Sequence, residues 1–232
     1  LMACGFQRCN FHVPPCLLIL LVASMPTLAV EPASENLTDF SEAAKTIPKP
    51  REIWPILKQE HVVPIEFTIE SEEIVTSDTD PSQKLREVKA HFWSQRIAGK
   101  KWGHPCTILM PEDNSRNMTP ERKGKVVIFG GGHGTIMEHE IAEYGEPIVA
   151  RTGYPTMVLA NPGVYEDGSG IESDILILGR RRKETGKGYF NMNCQLAVVY
   201  IQAMNAFQEF LGLDTVKAVL GGHSKRGRSA PV

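Results

Sequence analysis

Cysteine is scarce in this chain, and neither sign of charge is in excess. Five cysteines in 232 residues are too few for a disulfide scaffold. Three of them, Cys4, Cys9 and Cys16, lie in a stretch that reads as a removable leader. Lys and Arg total 25 against 27 Asp and Glu, a formal net charge of −2, which excludes both the basic balance of a polyanion binder and an acidic tail. No apolar run reaches the ~20 residues that a membrane-crossing helix needs. The apolar residues 16–23 are interrupted soon afterwards by Ser24 and Pro26, so no stable membrane anchor is expected. No internal repeat or low-complexity tract stands out.

Hydrophobic residues make up 42% of the chain and charged residues 22%, enough apolar side chain for one packed globular domain. Arg8, the apolar run 16–23 and the small residues Ser24, Thr27 and Ala29 together read as a signal peptide, residues 1–29, with the preferred cut after Ala29 and the alternative near Ser24. The expected location is therefore secreted or periplasmic. No cysteine stands at the cut, so a lipoprotein anchor is not expected. Residues 30–60 carry Pro32, Pro48, Pro50 and Pro55 and are expected to be a linker or N-terminal extension. The remaining cysteines, Cys106 and Cys194, could pair or stay as buried thiols. Leu1 stands before Met2, and Val232 follows closely on the most informative motif, which leads to the expectation of a reading-frame fragment.

From residue 61 onward β-branched and aromatic residues dominate. Residues 62–69, 88–97 and 102–110 are expected to form a strand meander. Beyond the polar stretch 112–123 the rhythm becomes strand, turn, helix. Residues 125–129 (KVVIF) form an apolar strand, Gly130-Gly-Gly-His-Gly134 a tight turn, and residues 135–143 a helix. A further strand, 156–160, ends in Asn161-Pro-Gly163. A long helix over 191–211 places Leu196, Val199, Tyr200, Ala203, Phe207, Phe210 and Leu211 on one face, and Gly212 stops it. A last apolar strand, 216–220, runs into Gly221-Gly-His-Ser-Lys-Arg-Gly227. The expected class is α/β, a mostly parallel sheet with antiparallel N-terminal strands and helices on both faces, incomplete at the C-terminus.

Two turns carry chemistry. A serine at a sharp strand-to-helix corner exposes its hydroxyl above the sheet edge, which makes Ser224 the candidate nucleophile. The usual form has glycine two residues before and two after the serine. Here Gly222 meets the first requirement, whereas Arg226 occupies the second position and glycine comes one place later, at Gly227. Serine needs a base, usually a histidine held by a carboxylate, and with this turn both follow the nucleophile along the chain. No histidine or carboxylate lies between Ser224 and Val232. The glycine turn supplies backbone amides for a tetrahedral oxyanion. The candidates are Gly131, Gly132 and Lys225, and each such donor is typically worth about 3 kcal/mol of transition-state stabilisation.

The strings VVIFGGGHG, TMVLANPGVYEDG and VKAVLGGHSKRG together resemble the serine α/β-hydrolase superfamily. Gly-x-Ser-Lys/Arg-x-Gly resembles secreted carbohydrate esterases of the acetyl xylan and glucuronoyl esterase kind, and Ser-Lys-Arg-Gly is similar to the PhoPQ-activated pathogenicity-related proteins. The likeness covers about residues 65–227 in layout, while only the two turns match in residues. It implies that residues 61–232 are the N-terminal part of a hydrolase domain. It also implies that Ser224 forms an acyl-enzyme with a small-molecule or polysaccharide ester, that no cofactor is needed, and that Lys225 stands where glucuronoyl esterases carry an arginine that assists the oxyanion. The family's acid and histidine have no matching positions here.

Other readings compete with this one. Residues 126–134 followed by a helix also resemble a dinucleotide-binding turn, but Thr135 occupies the third glycine position and the next strand ends at Asn161 rather than at an acid. A non-catalytic, degenerate hydrolase domain serving as a binding module is a third reading, supported by Arg226. His133, Glu138, His139, Glu140 and Glu143 lack the second histidine of a zinc helix, so no metal is expected. Arg180-Arg-Arg-Lys183 lacks aromatic partners, so no nucleic acid is expected. Asn36-Leu-Thr38 and Asn117-Met-Thr119 match glycosylation acceptors.

Overall fold

A computed structural model describes residues 48–113, 119–131, 138–171 and 192–230. All of them belong to the second of the chain's two compact units, Phe40–Val232. The elements in order are α1 (Pro50–Glu60), β1 (Phe67–Thr76), β2 (Lys84–Ile97), β3 (Lys100–Pro111), β4 (Lys125–Gly131), α2 (Glu138–Glu140), a π-helical turn (Ile141–Gly145), α3 (Glu146–Thr152), β5 (Thr156–Ala160), β6 (Val164–Tyr165), α4 (Met192–Leu211), β7 (Lys217–Gly222) and α5 (Lys225–Ser229).

One sheet takes the order β1-β2-β3-β5-β4-β7, with β6 beside β3. The meander β1–β3 is antiparallel and pairs antiparallel with β5, whereas β4 runs parallel to both β5 and β7. The α/β class is as the sequence implies. The sheet is mixed, with the antiparallel N-terminal strands that the sequence implies, of 10, 14 and 12 residues, beside the parallel strands β5, β4 and β7. Ala98 and Gly99, at φ 52° and 82°, close the β2–β3 hairpin, since two positive-φ residues match the twist of the flanking strands.

Strand alternation sorts the apolar residues into two layers. Ile128, Met157 and Leu159 face α4, whose Val199, Tyr200, Ala203 and Phe207 join them in the main core. Val158 and Ala160 face the opposite way, towards Phe129 and Ile141, and Leu109 packs with Val149 of α3 on that same side. Helices therefore cover both faces. Of the face predicted for α4, Leu196, Val199, Tyr200, Ala203 and Phe207 are buried while Phe210 and Leu211 are half-buried, and the burial extends beyond that face to residues such as Gln195, Val198 and Gln202.

Three expectations are corrected. The linker expected to run to residue 60 contains α1, with Pro50 in its first turn and Pro55 inside it. The proline signal is outweighed because Leu57 is buried, and Ile53, Trp54 and Ile56 pack on the core. Tertiary packing, not local propensity, carries most helix stability. The first strand lies at 67–76 rather than 62–69, since this edge strand needs few apolar residues and its Glu70, Glu72 and Glu73 are exposed. The helical segment after the glycine turn reaches Thr152 and contains a π-turn, while residues 132–137 lie outside the described set. Cys106 and Cys194 are buried free thiols; burial pushes the Cys106 thiol upward.

His104 sits in the core at 0% exposure. Its Nε2 lies 2.7 Å from Ser94 Oγ and its Nδ1 2.9 Å from the Ala160 carbonyl. Burial lowers its pKa from 6.5 to about 3. The folded state thus holds the neutral ring, and the unfolded state binds the proton first. Stability is complete above about pH 6.5 and falls as pH drops towards 3, with a slope approaching 1.4 kcal/mol per pH unit. Urea unfolding from pH 7 to 4 should show this slope, and His104→Asn should flatten it. An unchanged slope in the variant would remove His104 as its source.

Candidate functional site

Parallel pairing brings Gly130 and Gly131, at the end of β4, and the corner after β7 to one end of the sheet. Register sets Gly130 of β4 beside Gly222 of β7. One residue on, the His223 amide donates to the Gly130 carbonyl at 3.3 Å. In open α/β sheets this carboxyl edge is where ligands bind.

Ser224 occupies the corner between β7 and α5. It is exposed, with φ 55° and ψ −122°. Among the described residues only Ala98, in its hairpin turn, is another non-glycine at positive φ. Such a backbone costs on the order of 1–3 kcal/mol and persists where the surroundings over-determine it. The Arg226 amide donates to the His223 carbonyl at 3.1 Å, closing the turn around the serine. Lys225 begins α5, which places its amide at the start of the helix.

The displaced glycine of the motif has a geometric cause. At Gly222 an added Cβ would overlap the Tyr200 hydroxyl and come within 2.8 Å of Arg226 Cβ and 2.9 Å of its carbonyl carbon. At Gly227 it would lie 2.6 Å from the Gly222 carbonyl oxygen. The close approach that the motif needs thus falls at 222 and 227. Position 226, where the usual form has glycine, is different: its side chain turns inward and is 3% exposed.

Four residues around the turns were not singled out for this site by the sequence, apart from Arg226 as an anomaly. Arg226 Nε donates to the Asn161 carbonyl at the end of β5. Burial lowers the Arg226 pKa, and the neighbouring Tyr200 and Glu140 oppose that shift. Tyr200 Oη donates its one proton to the Gly221 carbonyl at 2.7 Å and lies 3.3 Å from the Arg226 carbonyl oxygen. Burial pushes the Tyr200 phenol upward, with the Gly130 amide and Asn161 acting against it. Glu140 is 8% exposed, and its Cγ would be 3.4 Å from a Cβ at Gly131. Tyr200 gave no chemical signal in the sequence because its helical spacing is that of any core residue.

Ser224 and Gly131 therefore share one sheet edge, on adjacent strands. Gly132 lies outside the described residues, as do His133, residues 180–183 and Asn117. Among the described residues no histidine hydrogen-bonds the Ser224 hydroxyl. His104 is held by Ser94 and Ala160, His139 pairs with Glu143 at 2.8 Å, and His91 packs edge-on against Trp93. Among the described residues no group of three or more His, Cys, Asp or Glu side chains could hold a metal ion, and no helix is long and apolar enough to cross a membrane. At the end of β5, Asn161 Nδ2 donates to the Leu196 carbonyl at 3.3 Å inside the core.

No protein-family model matches the chain, and no curated protein matches it. Solved structures similar to it include a glucuronoyl esterase from Solibacter usitatus, at TM-score 0.42 and 15% identity over 78% of this chain and 53% of that one. Another is a glucuronoyl esterase from Teredinibacter turnerae, at TM-score 0.44 and 14% identity over 83% and 55%. A third is an acetyl xylan esterase candidate from Bacteroides fragilis, at TM-score 0.45 and 13% identity over 88% and 58%. The chain spans little more than half the length of each.

Proposed function

We propose that the chain carries the nucleophile and the oxyanion-binding turn of an exported serine hydrolase that cleaves a carboxylic ester of a carbohydrate. The observation that supports this most is the strained backbone of Ser224, φ 55° at a strand-to-helix corner, one strand away from the glycine turn of β4. Ser224 Oγ attacks the acyl carbonyl while a histidine takes its proton, and the carbonyl oxygen gains the negative charge. Amides of Lys225, Gly131 and Gly132 receive that oxyanion. The ester C–O bond then breaks, the histidine returns the proton to the leaving alcohol, and water frees the acyl group from Ser224. The apolar run 16–23 behind Arg8 supports export, and the likeness of Gly222-His-Ser-Lys-Arg-Gly227 to the Gly-x-Ser-Lys/Arg-x-Gly string of carbohydrate esterases supports the substrate class.

The test is covalent trapping. The full-length gene product is incubated with a p-nitrophenyl alkylphosphonate, digested and mapped by mass spectrometry. The expected adduct sits on the peptide bearing Ser224, and p-nitrophenol is released one for one with it. An adduct on another residue removes Ser224 as nucleophile. A correctly folded full-length protein that forms none supports the non-catalytic binding reading instead.

A further inference from the structure

We propose that Tyr200 and Arg226 form a buried clasp beneath the β7–α5 corner and act as positioning residues, holding Ser224 in its strained conformation beside the end of β4 at Gly130 and Gly131. This rests on the serine-hydrolase reading above and adds residues that no motif contains.

The clasp joins three strand ends. Tyr200 rises from α4 and is 1% exposed. Its hydroxyl donates to the Gly221 carbonyl at the end of β7 at 2.7 Å and packs 3.3 Å from the Arg226 carbonyl oxygen in α5. A Cβ at Gly130, the facing residue of β4, would overlap that same hydroxyl and come within 3.2 Å of Arg226 Cβ. The Arg226 side chain reaches the third strand end, where Nε donates to the Asn161 carbonyl after β5. One hydroxyl and one guanidinium thus lie between β4, β5 and β7, directly below the corner that carries Ser224.

Burying a guanidinium is costly unless it is paired and hydrogen-bonded. Here it has a carbonyl partner and Glu140 as a neighbouring carboxylate. A flexible apolar side chain could fill the volume but could not bind the end of β5. A strained φ survives only when its surroundings over-determine it. Without the clasp the corner can relax to an ordinary conformation, and the hydroxyl then moves away from the glycine amides.

The experiment uses the full-length gene product with Tyr200→Phe, Arg226→Met, Arg226→Lys and Ser224→Ala. It measures p-nitrophenyl acetate turnover and hydrogen exchange of backbone amides. A misplacement of ~1 Å in a catalytic group costs about 100-fold in rate, so Arg226→Met should lower kcat by about that factor with KM nearly unchanged. Tyr200→Phe should lower kcat by about tenfold, and Arg226→Lys should recover part of the Arg226→Met loss, since it restores a donor without the fork. Amides of residues 222–226 should exchange at least about tenfold faster in Arg226→Met and Tyr200→Phe, while those of β5 stay protected. Parental kcat in these two variants, or parental exchange at 222–226, overturns the clasp. So does an equal rise in exchange across β5 and the corner, which marks general destabilisation. Should Arg226→Met fail to fold, Tyr200→Phe and Arg226→Lys decide the matter. Turnover retained by Ser224→Ala overturns the hydrolase reading itself, whereas its loss beside parental clasp variants overturns only the clasp.

Discussion

Ser224→Ala is expected to remove ester turnover in the full-length protein, with kcat lower by at least about 10⁴-fold. The reason is chemical: alanine leaves the glycine-turn amides in place but offers no oxygen to the acyl carbon. Residual catalysis from the oxyanion donors alone should persist at a low level. A companion variant separates this from structural damage. Ser224→Gly is equally inactive, yet it relieves the backbone at φ 55° and ψ −122°, which only glycine adopts without strain. Its unfolding free energy should rise by roughly 1 kcal/mol, within the range that such strain costs. Urea denaturation beside the kinetic assay reads both effects. An inactive but destabilised glycine variant would contradict the strained-corner account, and an active alanine variant would remove Ser224 from the chemistry.

Gly222→Ala should be a strongly damaging single-methyl change in the site. The new Cβ would meet the Tyr200 hydroxyl, Arg226 Cβ at 2.8 Å and the Arg226 carbonyl carbon at 2.9 Å. The last is backbone and cannot swing aside, so β7 and α5 must separate. Overpacking of this kind costs about 1–3 kcal/mol, and the upper end is expected because two of the three contacts, Arg226 Cβ and its carbonyl carbon, cannot be relieved by a side-chain rotation. Phosphonate labelling at Ser224 should fall with it, as the corner opens. Gly170→Ala is the control: nothing lies within 4 Å of a Cβ there and its φ is not positive. Its stability should stay within about 0.5 kcal/mol of the parent, as for ordinary surface substitutions. Equal midpoints for the two variants would show that Gly222 is not a point of close packing.

The elements that the sequence revealed are those whose signals are local. The run 125–129, the helix 192–211 and the strand entering Gly221 each show apolar periodicity and a glycine stop within their own residues. α1 was hidden because Pro50 and Pro55 read as breakers, while its support comes from the core it packs on, through Leu57, Ile53 and Trp54. β1 was displaced because an edge strand tolerates exposed glutamates. The Arg226 anomaly was visible, but its meaning was not, since the Asn161 carbonyl that it reaches is 65 residues away along the chain.

By itself the sequence determined the alternation of strand, glycine turn and helix and the place of Ser224 at a corner, because these follow from nearest-neighbour sterics and from 2.0- and 3.6-residue periodicities. Only the tertiary structure decided that β7 lies beside β4 with Gly130 opposite Gly222, and that Tyr200 and Arg226 fill the space below. Strand register and buried polar partners are set by complementary packing between distant segments, and no local window of residues contains that information.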